Sequence, residues 1–138
     1  MNYKFFFLSP KSEKFFIEAR KEYEKRLSRY CKLTIKEYKN KDKLFKEISK
    51  ENLIVFIENE GIMLSSEKLA EKISKMEVEG ISYIAIVVGV EHRDIISENK
   101  SVIFSISKMS LSENLVEVVL LEQIYRAYKI INGETYHK

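Results

Sequence analysis

Gly89, at the end of the apolar run Tyr83–Val88, is the residue best placed to sit beside a ligand. Open α/β sheets bind ligands just beyond the carboxyl ends of buried strands, and a glycine there lets backbone approach closely. A plain turn would use the same residue. Few other side chains offer chemistry. His92 and His137 are the only histidines and Cys31 the only cysteine, so no intrachain disulfide can form and no metal site is expected. Neither a GxGxxG nor a GxxxxGK[ST] phosphate loop is present, and HExxH and GxSxG are missing too. The tail Glu134-Thr-Tyr-His-Lys138 follows a helix stop and reads as a frayed end.

The elements that must position such a site follow from periodicity. Tyr3 to Leu8, stopped by Ser9-Pro10, reads as a first strand. Ser12 opens a helix whose apolar positions are Phe15, Phe16, Ala19, Tyr23, Leu27 and Tyr30. Leu33 to Glu37 is a second strand, and Asp42 to Lys50 a short charged helix with Leu44, Phe45 and Ile48 inward. Leu53-Ile-Val-Phe-Ile57 and Tyr83 to Val88 are continuous apolar runs, as expected of strands buried on both faces. Between them a helix capped by Ser65 or Ser66 ends near Gly80. A short helix is expected over 95–99 and a last strand over 102–106. Ser110-Leu-Ser-Glu113 has capping-box spacing for a final helix reaching Ile131. Strands alternating with helices predict one α/β domain over residues 1–138, with a mostly parallel sheet.

The final helix is apolar around most of its circumference. Glu122, Arg126 and Lys129 form one polar stripe, and Glu113, Asn114 and Glu117 gather on roughly the opposite side near its start. Such a helix must be covered on more than one side. The sheet supplies one cover, and a second copy of the chain is the expected other, giving a homodimer. Burial under the chain's own tail is the alternative.

Charge divides the 138 residues unevenly. Residues 1–50 carry 15 Lys/Arg against 7 Asp/Glu, residues 51–100 carry 5 against 10, and the remainder is balanced at 4 against 4. A first third at net +8 points to an anionic partner, nucleic acid first among them, against the plainer reading of a solvated lysine-rich surface. With 45% apolar and 33% charged residues, four Gly and one Pro, disorder and low complexity are excluded. The start MNYKFFFLSP is too short for a signal-peptide core, and the run Ile81 to Val90 is about half a membrane span. A soluble, cytoplasmic protein is expected.

Three stretches carry a resemblance. Leu120-Leu-Glu-Gln-Ile-Tyr-Arg-Ala-Tyr-Lys-Ile-Ile131, followed by Gly133-Glu-Thr-Tyr-His-Lys138, closely resembles the C-terminal signature of the RlmH (YbeA-like) family. Glu22 to Tyr30 with Lys32-Leu-Thr-Ile35 is similar to that family's N-terminal helix-to-strand segment. Ile57-Glu-Asn-Glu-Gly61 through Leu64-Ser-Ser66 is similar to its central strand and turn. These are SPOUT-class, S-adenosylmethionine-dependent methyltransferases of large-subunit ribosomal RNA. The resemblance implies an α/β SPOUT fold with a C-terminal trefoil knot and a homodimer packed through the last helix. It also implies methyl transfer to N3 of a pseudouridine in 23S rRNA of the assembled ribosome.

By motif match it implies that Ile57, Gly89, Ile106, Ser107, Lys108, Met109, Ser110 and Leu111 hold the cofactor. Arg126, Tyr136 and His137 are its catalytic candidates. Arg126 would orient the target base or its phosphate, unless it is only an ion pair with Glu122 at i,i+4. Tyr136 and His137 would close over the site. The N3 imide must lose a proton on attack, so a base or an anion-stabilising group is expected. Lys11, Lys14, Lys21, Lys25 and Arg29 are expected to dock ribosomal RNA. Val90 and Arg93 stand where the family has glycines, and Ser112-Glu-Asn-Leu-Val-Glu117 replaces its Pro-His-x-Leu-Val-Arg. Those departures keep open a second reading, a non-catalytic SPOUT-fold protein that binds ribosomal RNA. The change to Glu117 would reverse a charge presented to RNA or to the partner subunit.

Overall fold

A computed structural model describes residues 1–9, 12–95 and 100–136, apart from the side chain of Lys100. Its elements are β1 (Asn2–Leu8), α1 (Lys14–Leu27), β2 (Lys32–Tyr38), α2 (Lys41–Ile48), β3 (Leu53–Met63), α3 (Ser66–Val78), β4 (Tyr83–Val88), β5 (Lys100–Ser105) and α4 (Glu113–Ile131). A single 3-10 turn, His92–Asp94, follows β4. The strands form one sheet in the order β2-β1-β4-β3-β5, and every neighbouring pair is parallel. All five carboxyl ends therefore lie along one edge.

The period of two divides strand side chains between the faces. Tyr3, Phe5, Phe7, Val55, Ile84, Ile86 and Val88 meet α1, α3 and α4 on one face. Phe6, Ile54, Phe56, Ala85 and Val87 meet Leu44 and Ile48 of α2 on the other. This two-sided burial explains the unbroken apolar runs of β3 and β4.

Several boundaries differ from the sequence reading. The N-cap of α1 is Glu13, not Ser12, and Phe15 is 59% exposed, its ring tilted against that of Phe16 with centroids 4.4 Å apart. Ser65 does cap α3, accepting from the Lys68 amide at 3.1 Å. Ser112, rather than Ser110, caps α4 by accepting from Leu115 N–H. β3 runs on to Met63 because it pairs with β5 twice, at Ile57 and again at Ile62, with an irregularity between. Gly61 permits the second approach, since a Cβ there would lie 2.5 Å from the carbonyl carbon of Phe104. The helix expected over 95–99 falls largely outside the described residues.

The cover of α4 is also more complete than the wheel suggests. Its own α1 and α3 flank it, so Leu120, Leu121, Ile124, Tyr125, Ala127 and Tyr128 are buried within the chain. Its open side carries Leu115, Val118 and Val119 in the first half and the part-exposed Glu122, Arg126 and Lys129 in the second.

Glu117 overturns an expectation. It presents no charge to RNA or to a second subunit, because it is fully buried on the sheet-facing side of α4. There the Arg20 guanidinium donates to it at 2.9 Å and the Ser9 hydroxyl at 3.4 Å. Arg20 also pairs with Glu37 and lies over the Phe7 ring. Burial pushes the Glu117 carboxyl up to about 7, against the opposing pull of Arg20 and the Ser9 hydrogen bond.

Candidate active site

Three segments lie side by side at the carboxyl edge of the sheet and enclose a cavity of about 670 Å³. They are residues 58–60 within β3 and the loops after Val88 in β4 and Ser105 in β5, and the first turn of α4 closes the space with Glu113 and Val116. Such a volume suits a nucleotide-sized ligand. Ile57, Val88, Ile106, Leu111 and Val116 supply apolar wall, while Glu58, Glu60, Glu91 and Glu113 supply carboxylates. The last loop is shaped by its own serines. Ser105 Oγ donates to the Ser107 carbonyl at 2.9 Å, and Ser107 Oγ accepts from Met109 N–H at 2.9 Å.

Of the residues expected to hold a cofactor, Ile57, Gly89, Ile106, Ser107, Met109, Ser110 and Leu111 all line this cavity. Lys108 is exposed and stands outside the lining. The reason for glycine at position 89 differs from the expected one. Gly89 has φ +100°, and a Cβ on it would collide with the carbonyl oxygen of Leu8. The end of β1, rather than a ligand, forbids a side chain here. Val90, a departure from the family pattern, turns its side chain into the core beside Phe56 and Leu44. Arg93 is exposed and paired with Glu91. Both residues nonetheless line the cavity.

Arg126 and Tyr136 come together, but elsewhere. Arg126 forms the i,i+4 pair with Glu122 at 2.8 Å and lies 5.3 Å from the Tyr136 ring centroid. Tyr136 donates to Glu122 at 3.3 Å and packs edge-on against Tyr125, centroids 5.0 Å apart. Glu134 accepts from Tyr30 at 2.8 Å and Lys129 at 2.9 Å, so the tail through Tyr136 is docked rather than frayed. Burial pushes the Tyr136 phenol up to about 12, which keeps it a hydrogen-bond donor at neutral pH. Arg126 lies ten residues beyond Val116, roughly 15 Å further along the helix. Within one chain this cluster and the cavity are separate. His137 lies outside the described residues.

Lys14, Lys21, Lys25 and Arg29 are exposed. At 100° per residue Lys14, Lys21 and Lys25 share a stripe of α1 about 40° wide. Lys11 is outside the described residues. Among the described residues no group of three or more His, Cys, Asp or Glu is placed to hold a metal ion. No described helix is long and apolar enough to cross a membrane.

The sequence reading missed a pair inside the cavity. Glu58, next to Ile57, accepts from the His92 amide at 2.8 Å and lies 3.0 Å from His92 Nδ1. The only available signal was position: Glu58 ends a buried strand segment, and His92 follows Gly89 by three residues.

A parallel α/β sheet with a ligand-sized cavity at its carboxyl edge defines a nucleotide- or cofactor-binding enzyme class. The particular family follows from comparison with known proteins. Residues 1–137 match the family model described as "Predicted SPOUT methyltransferase", and the chain belongs to the SPOUT methyltransferase family. It is 45% identical over 138 residues, all of both chains, to "Ribosomal RNA large subunit methyltransferase H 1" of Thermoanaerobacter sp. (strain X514). Proteins named "Ribosomal RNA large subunit methyltransferase H" from Clostridium novyi (strain NT) and Bifidobacterium adolescentis are 42% and 37% identical. Each alignment covers 91% of this chain and 92% of the relative.

Proposed function

We propose that the chain is a single-domain, S-adenosylmethionine-dependent methyltransferase acting on N3 of a pseudouridine in 23S rRNA of the assembled ribosome. The observation that carries this reading is the carboxyl-edge cavity, in a chain that matches methyltransferases named for large-subunit rRNA along its whole length. The donor set suits the cofactor. Apolar walls at Ile57, Ile106 and Leu111 accept an adenine, and the surrounding carboxylates complement a ligand bearing sulfonium and ammonium charges. S-adenosylmethionine supplies an activated methyl group. The protein's part is to bind, orient and exclude water, a task that falls to the packed segments at the carboxyl edge.

The same reading makes the protein a homodimer. The open apolar half of α4, with Leu115, Val118 and Val119, borders the cavity through Val116 and Glu113. Two such helices packed antiparallel would bring Arg126 of the partner subunit toward the cavity that its own chain leaves roughly 15 Å away. Arg126 then orients the target base or phosphate, and Tyr136 and His137 close over it. The family's trefoil knot belongs to this reading as well, supported by β5 adding outside β3 before α4 crosses back against β1 and β4.

Mass spectrometry of 23S rRNA fragments tests the reading. A strain lacking this protein should lose one methyl mass from a pseudouridine-containing fragment, and the cloned chain should restore it. An unchanged fragment in the deletion strain overturns the enzyme and leaves the RNA-binding alternative.

A further inference from the structure

The cavity contains one histidine, and its imidazole is held in place from two directions. Its backbone N–H and Nδ1 both face the Glu58 carboxylate, at 2.8 and 3.0 Å. The Phe56 ring meets it edge-on, centroids 6.3 Å apart. Glu58 is mostly buried, with a side chain only 10% exposed, so its carboxylate is fixed while the imidazole remains 44% exposed to the cavity mouth. An ionised carboxylate can only accept, so in the neutral ring the proton sits on Nδ1. Nε2 is left as an acceptor, and no described residue hydrogen-bonds to it. A carboxylate that fixes an imidazole tautomer, with the other nitrogen free, is the arrangement of an oriented general base.

The charged groups around it are Glu58 and Glu60 of β3, Glu91, Arg93 and Asp94 of its own loop, and Glu113 of α4. Arg93 is taken up by Glu91, so the remaining charge around the imidazole is carried by carboxylates. The other titratable groups that could take a proton at the cavity are carboxylates, ordinarily weaker bases than an imidazole. Tyr136 keeps its proton at neutral pH and lies outside the cavity.

We propose that His92, oriented by Glu58, is the base that removes the N3 proton of the target pseudouridine; the assignment rests on the methyltransferase reading above. The N3–H bond breaks and its proton passes to Nε2. The freed N3 electron pair forms the bond to the methyl carbon, and the electrons of the broken carbon–sulfur bond return to sulfur, leaving a neutral thioether. The imidazolium then gives its proton to water. His92 is catalytic in this assignment, and Glu58 is a positioning residue.

Two measurements test it on the full chain. The first needs no turnover. Nitrogen-15 spectra of the imidazole should show His92 as the Nδ1–H tautomer, and E58Q should abolish that bias. An Nε2–H tautomer in the wild type overturns the proposal. The second is single-turnover methylation of ribosomes lacking the modification. H92A should lose 100-fold or more in rate, recover at least tenfold with added imidazole, and bind S-adenosylmethionine within about threefold of wild type. E58Q should lower the rate less and add nothing in the H92A background. A wild-type rate in H92A, a loss explained wholly by weaker cofactor binding, or imidazole rescue of H137A in its place each overturns the proposal. A wild-type chain that binds cofactor yet methylates no ribosome overturns the functional reading itself, and the assignment with it.

Discussion

Glu117 and Arg20 are each buried, and each leaves a costly charge behind if the other is removed. Because the Glu117 carboxyl is pushed up to about 7 from 4.5, the folded chain binds more protons than the unfolded one between those values. Stability from this group is therefore full at low pH, falls as pH rises from about 4.5 to about 7, and levels off above. Replacing Arg20 by Met removes the cation that holds the carboxyl down, so its cost grows with pH. Urea unfolding should show a loss of about 3–5 kcal/mol at pH 8 and a clearly smaller one at pH 5.5. Equal losses at both would show that Glu117 does not titrate in the folded chain. This pair was half legible in the sequence. Glu117 stands out as an acid in an apolar helix, but Arg20 sits among seven other cations of residues 11–32 and nothing local marks it as inward. Periodicity gave Phe15 the inward position instead, and tertiary packing decided for the arginine.

At the scale of elements, the sequence reading was strongest where burial is two-sided. Residues 53–57 and 83–88 read as strands because nothing polar interrupts them, and β1 shows itself by Phe5, Phe6 and Phe7 serving both faces. The second half of β3 was not legible. Glu58-Asn-Glu-Gly61 has turn chemistry, and only the return of β5 to Ile62 and Met63 makes it a strand. The cavity loops were legible only through the family resemblance, since their serines and glutamates have no motif spacing. For α4 the wheel correctly found an excess of apolar surface, but α1 and α3 consume most of it. What remains at Leu115, Val118 and Val119 carries a sharper prediction. At micromolar concentration the chain should sediment as a dimer, and V119K should shift it to monomer with its far-UV circular dichroism intact. A monomeric wild type would refute dimerisation through this helix.

Across the whole molecule, the cavity lining and the exposed face of α1 carry opposite charge. The stripe of Lys14, Lys21 and Lys25 rides on the solvent side of α1, whereas the cavity's own rim is acidic. An acidic rim repels a phosphate backbone, and on the proposed reading the lysine stripe is the surface that gathers ribosomal RNA. Charge reversal at Lys21 and Lys25 should weaken ribosome binding about tenfold at moderate salt and flatten its log–log salt dependence. Unchanged affinity would return these lysines to ordinary solvated surface.

The docking of Tyr136 on Tyr125 has an optical consequence. The chain contains eight tyrosines and no tryptophan. Its near-ultraviolet circular dichroism therefore comes largely from phenol rings, and the cluster of Tyr23, Tyr30, Tyr125, Tyr128 and Tyr136 places five of them in mutual contact. Any rearrangement that lifts the tail from α4, on binding RNA or a second subunit, writes itself into that spectrum without a label.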